Sequence, residues 1–136
     1  MNASLLNRLG LARKAGYLEL GEDAVGSAAR ARHARLLIVA SDAGDHTVRR
    51  AKNFASTATC PLIQVDADKK ELGYAVGRAT CAMAAITEPG MALSFATALG
   101  TLPEADLQLL QQREEKQAKL RKEAKIHKKN LKYGKK

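Results

Sequence analysis

Leu36-Leu37-Ile38-Val39-Ala40 is an unbroken apolar run flanked by Arg35 and Ser41-Asp42. A run this short, rich in branched side chains and without alternation, is the signature of a strand covered on both faces. A strand needing cover on two sides requires helices on both sides of its sheet, and the rest of the chain supplies them. Leu5, Leu6, Leu9 and Ala12 recur at helical spacing after Ser4, a candidate cap, and Gly16 ends that segment. Tyr17 to Leu20 reads as a short strand, Glu22 to Arg32 as a helix acidic at its start and basic at its end. A helix over about Thr47–Ser56, a strand Leu62–Val65 and a short helix capped by Asp68 follow. A last strand, Cys81–Thr87, leads into Glu88-Pro89-Gly90 and a helix that Gly100 ends. Alternating strands and helices predict an α/β fold, a three-layer α/β/α sandwich around a mixed four-stranded sheet.

Beyond Pro103 the pattern changes. Leu107, Leu110 and Ala118 are spread among Gln, Glu, Lys and Arg, with no glycine before Gly134. The composition favours helix but carries little apolar surface past Leu110, which predicts a helix over about Glu104–Lys119 that frays into a mobile basic end. The two parts divide as a body over residues 1–102 and a basic helical or partly disordered extension over 103–136.

Charge divides the same way. The chain carries a net charge of +9, yet residues 1–115 hold 13 Lys and Arg against 13 Asp and Glu. Residues 116–136 hold 10 cations against the single Glu123. A neutral body with a cationic extension suits a polyanionic partner, of which nucleic acid is the commonest in the cytosol. No apolar run is long enough to span a membrane, and the amino end lacks a signal peptide's apolar stretch, so a cytoplasmic location is expected.

Catalytic and cofactor chemistry finds no constellation. Gly73 and Gly77 are not followed by the Lys-Ser/Thr of a phosphate loop, and His33, His46 and His127 fall on a helix end, a loop and the extension. Cys60 and Cys81 are far apart, and no basic residue flanks either to favour a thiolate. The expectation is a protein that is not an enzyme, with no metal, no cofactor and no small-molecule substrate.

Several segments resemble the ribosomal protein L7Ae/L30e superfamily, whose best-known members bind kink-turn RNA. They are Leu9 to Gly16, Gly21 opening a helix, Ala34-Arg35-Leu36 through Ser41-Asp42, Lys70-Glu71-Leu72-Gly73 through Gly77, and Ile86-Thr87-Glu88-Pro89-Gly90. They occur in family order over about residues 4–100, and look most like the bacterial ribosome-associated branch. The resemblance implies one α/β/α domain, RNA as partner, and neither cofactor nor catalysis. Kink-turn binders carry Gly-x-Asn-Glu and a Lys shortly after at the second helix; here Gly21 matches, while Asp23, Ala24 and Ser27 replace the other three. Glu19, Glu22 and Asp23 put carboxylates where a helix amino end would otherwise offer bare N–H groups to a phosphate.

The functional reading is a non-catalytic RNA-binding protein, associated with the ribosome or another structured RNA and with ribosomal proteins as further neighbours. Candidate RNA contacts on the body are Lys14, Gly21 and Asp23. Those on the extension are Lys116, Lys119, Arg121, Lys122, Lys125, Lys128, Lys129 and Lys132, with Tyr133 as a stacking group. Two alternatives stay open: an adaptor whose basic extension docks an acidic protein, and a true kink-turn binder that tolerates Asp23.

Overall fold

The computed structural model describes residues 1–132, with side chains described as far as Lys129. In chain order the elements are α1 (Ala3–Lys14), β1 (Leu18–Leu20), α2 (Glu22–Arg30), β2 (Leu36–Val39), α3 (Asp45–Ala58), β3 (Leu62–Gln64), α4 (Lys69–Val76), β4 (Met83–Ile86), α5 (Pro89–Leu99) and α6 (Glu104–Lys132). The four strands form one sheet in the order β1-β4-β2-β3. β2 and β3 are parallel, whereas β4 runs antiparallel to both of its neighbours.

The central apolar run is buried along its whole length and divides its side chains between two layers. Leu36, Ile38 and Ala40 join Leu5, Leu9 and Ala12 of α1, Leu72 and Val76 of α4, and Phe95 and Ala96 of α5. Leu37 and Val39 face the other way, against Val25, Ala28 and Ala29 of α2 and Ala51, Ala55 and Ala58 of α3. The period-two alternation of strand side chains thus makes one sequence serve two cores, and the three-layer sandwich is the result. Alanine dominates the α2–α3 side.

Local signals account for most boundaries. Asp68 and Glu71 form a reciprocal capping box at α4, and Pro89 opens α5 behind the Glu88 carboxylate, which accepts from the Met91 N–H at 2.7 Å. The cap of α1 is Asn2 rather than Ser4: its side chain accepts from the Leu5 N–H at 2.9 Å, which starts the helix one residue before Ser4. α3 begins at Asp45 and β4 is confined to Met83–Ile86, where it has partners on both sides.

The largest departure from expectation is α6. It does not stop near Lys119 but continues as one helix to Lys132, 29 residues in all. Gln, Glu, Lys, Arg, Ala and Leu all rank high in helix propensity, and nothing interrupts them. Docking also reaches past Leu110. Leu102 and Leu110 belong to the core, Arg113 donates to the Thr59 carbonyl at the end of α3, and Arg121 reaches Glu88 at 3.5 Å. Lys135, Lys136 and the Tyr133 ring lie outside the described residues.

Strand direction gives the sheet two distinct ends. The carboxyl ends of β1, β2 and β3 meet the amino end of β4, with Leu20 opposite Ala84 and Val39 opposite Met83; this is the upper end. The amino ends of β1, β2 and β3 meet the carboxyl end of β4, with Leu18 and Leu36 both opposite Ile86; this is the lower end. The α6 contacts at Thr59 and Glu88 both belong to the lower end, so the helix crosses the sheet there.

Candidate nucleic-acid interface

Gly21 caps α2 at the upper end, with φ +87° and ψ 165°, a combination that side chains beyond hydrogen rarely adopt. Its N–H donates to the Met83 carbonyl at 3.0 Å, tying the turn to β4. Glu22 beside it forms an ion pair with Arg50 of α3, and Asp23 is exposed in the first turn. Arg78 reaches the same corner: its Nη1 lies 3.9 Å from the position a Cβ on Gly21 would take. Sequence reading missed Arg78, because nothing local ties it to a glycine so far away along the chain. The tight packing of the chain after α4 brings them together. Gly73 lies so near residues 78–80 that an added Cβ would stand 2.7 Å from the Thr80 Cα.

Lys14 ends α1 and is exposed. It lines a groove between α1 and α4 together with Arg13, Leu11 and Tyr74. Arg13 is committed to the structure, donating to the Val76 carbonyl.

The extension's cations are presented on a regular helix. Lys116, Lys119, Arg121, Lys122, Lys125, Lys128 and Lys129 are all exposed on α6, and Lys132 closes its backbone. Helical spacing sorts them. Steps of three and four carry Lys122 to Lys125 and Lys129, and Arg121 to Lys125 and Lys128, so these five share one side of the helix. Lys116 and Lys119 fall on another side. Arg121 is engaged by Glu88 and by Glu114 at 3.2 Å, which anchors the start of the cationic stripe to the body. Gly21 and Asp23 therefore stand at one end of the sheet and the stripe at the other.

Cys60 has cations near it after all, since Arg113 and Arg35 both come close in space, but burial outweighs them and pushes the thiol up to about 11. Cys81 is raised for the same reason. Neither is a thiolate near neutral pH. Among the described residues no group of three or more His, Cys, Asp and Glu converges as metal ligands would, and no helix is long and apolar enough to cross a membrane.

Residues 3–95 match the ribosomal protein L7Ae/L30e/S12e/Gadd45 family. The chain belongs to that family. The match takes in α1 to β4 and most of α5, and stops before α6. A Bacillus halodurans protein of unknown function superposes with a TM-score of 0.67 at 28% identity, covering 72% of this chain and 98% of its own. The Giardia lamblia 15.5kD RNA binding protein superposes with a TM-score of 0.58 at 16% identity, covering 73% of this chain and 90% of its own. No curated protein matches the sequence.

Proposed function

We propose that this family member is a cytoplasmic, non-catalytic RNA-binding protein of the bacterial ribosome-associated branch, and that α6 supplies most of its affinity. The observation that carries this reading is the exposed cationic stripe on α6, anchored by Arg121 at the lower end of the sheet. Phosphate contacts from such a stripe give affinity and orientation without reading sequence. The acids at the upper end make the Gly21 corner a poor phosphate site, so the α/β/α body, about residues 1–102, orients the extension over 103–136. The RNA binding in the name of the Giardia lamblia relative supports RNA as the partner class; a ribosomal or other structured RNA, with ribosomal proteins nearby, is the expected setting.

The test compares the full chain with one ending at Glu115, which keeps Leu110 and Arg113. With about six cations on phosphates, log K falls with log salt at a slope near −4 to −5, and the shortened chain loses most of that slope. A shortened chain with full affinity and slope would overturn the assignment to α6. Arg78 beside Gly21 favours a second reading, kink-turn recognition at the upper end. A kink-turn hairpin bound no better than a duplex of equal length would exclude it.

A further inference from the structure

Two arginines at the lower end hold hydrogen-bonding capacity that the fold leaves unused. Arg35 precedes β2 and Arg113 lies in α6 where that helix crosses the sheet. Arg35 Nε and Arg113 Nη1 are buried, and neither has a hydrogen-bond partner among the described residues. Arg113 Nη2 donates to the Thr59 carbonyl, which fixes the guanidinium in place. Neither arginine pairs with a carboxylate among the described residues. The acids of this region are otherwise disposed. Glu88 pairs with Arg121 and accepts from the Met91 N–H. Glu114 pairs with Arg121 through Oε1, while its Oε2 is buried against Gly90 without a partner. Glu19 is half-buried at the rim.

Buried donors without acceptors are rare in folded proteins, because each has given up water for nothing. The fold sets both at one level of the sheet: Arg113 donates to the Thr59 carbonyl, and the parallel register that places Leu37 opposite Leu62 sets Arg35 level with Cys60, the next residue. Burial first, and the Arg35 charge second, make it easier for Arg113 to lose its proton. One oxyanion between them would accept from both and cancel the repulsion, and the planar guanidinium fork matches a phosphate's geometry. Access is from the Arg35 side, because Arg35, though not Arg113, lines a cleft of about 740 Å³ between α2 and α6, whose wall also carries Tyr17, Ser27, His33, Gln117 and the carboxylates of Glu19 and Glu88.

We propose that Arg35 and Arg113 form a phosphate-binding site at the lower end of the sheet, entered on the Arg35 side from the cleft between α2 and α6. The chemistry is shared by an RNA backbone phosphate and a free phosphate. The RNA source rests on the function proposed above; the free-phosphate source does not.

The experiment uses the full chain and two probes, inorganic phosphate at constant ionic strength followed by calorimetry, and a short RNA duplex. The expected result is saturable phosphate binding, weakened tenfold or more by Arg35→Gln or Arg113→Gln and unchanged by Arg49→Gln, which removes an exposed charge near the start of α3. Arg35→Lys, which keeps the charge and loses the Nε donor, serves if the glutamine variant does not fold. If the site takes RNA, phosphate competes with the duplex and each glutamine variant flattens the salt slope by about 0.7–0.9. Phosphate binding without competition assigns the site to free phosphate and leaves the RNA reading untouched. Phosphate binding with no RNA binding at all sinks the RNA reading alone. No phosphate binding, with both glutamine variants holding RNA as the unaltered chain does, overturns the proposal.

Discussion

If phosphates lie along the stripe of α6, the position of a lysine on the helix matters as well as its charge. Lys122→Gln/Lys125→Gln removes two cations from the stripe, and Lys116→Gln/Lys119→Gln removes two from another side; all four are exposed. The two variants have equal net charge. Each phosphate contact contributes about 0.7 to the salt slope on single strands and about 0.9 on duplex, so the stripe variant flattens it by about 1.4–1.8. Between 50 and 200 mM salt that is about seven- to twelvefold less loss of affinity. Glutamine keeps helix propensity close to that of lysine, so α6 itself is preserved. Fluorescence anisotropy with a labelled RNA at five or six salt concentrations, with helicity checked by circular dichroism, measures both slopes. The expected outcome is a flattened slope for the stripe variant and one near the unaltered chain for the other. Equal flattening in both would mean that α6 acts as a diffuse cloud of charge, and the argument from helix geometry would fail.

Three further outcomes follow from the body. Gly73→Ala places a Cβ within 2.8 Å of backbone atoms of Arg78 and Thr80, which cannot swing aside, and costs about 1–3 kcal/mol, read as a lowered midpoint in urea. Asp68→Ala removes the acceptor for the Glu71 N–H at 2.8 Å and costs about 1 kcal/mol in the same assay, with Glu71→Gln costing less. With its thiol raised to about 11, Cys60 in a Cys81→Ala background reacts with iodoacetamide at pH 8 about a hundredfold more slowly than an ordinary cysteine, and faster with each rise in pH. The same shift has a stability consequence of definite sign. The unfolded thiol ionises near 9 and the folded one near 11, so Cys60's contribution is complete below pH 9 and is lost as pH rises through 11.

The readable parts of this fold are those whose cause is local. The run Leu36–Ala40 has no stable home except between two layers, and its alternate residues are found in two separate cores. Asp68 followed by Glu71, and Glu88 followed by Pro89, carry their caps within four residues. Asn2 and Ser4 were both able to cap α1, and choosing between them depends on where the backbone turns, which residue type alone does not fix. The features that escaped the sequence are contacts between segments far apart in the chain. Arg78 nears Gly21 because the chain doubles back against α4, and Arg113 comes to the level of Arg35 only because α6 reaches the Thr59 carbonyl at the lower end. The length of α6 was hidden for a different reason: its few apolar residues suggested weak docking, but Arg113 and Arg121 hold it through polar contacts.

Those polar anchors also fix where α6 lies against the body. The upper end is built around a glycine turn flanked by Glu22, which is locked to Arg50, by Asp23 and by Arg78. The lower end is where the added helix lies, and its anchors come from the body's own loops: the Thr59 carbonyl after α3 and Glu88 before α5. An RNA that follows the stripe from Arg121 outward leaves the body at the end opposite Gly21. Contact with both ends would have to bridge the length of the strands, roughly 10–13 Å at about 3.3 Å per residue, plus the turns beyond them. On the function proposed above, the cations of α6 hold the polyanion at the lower end, away from Asp23 and the Gly21 turn.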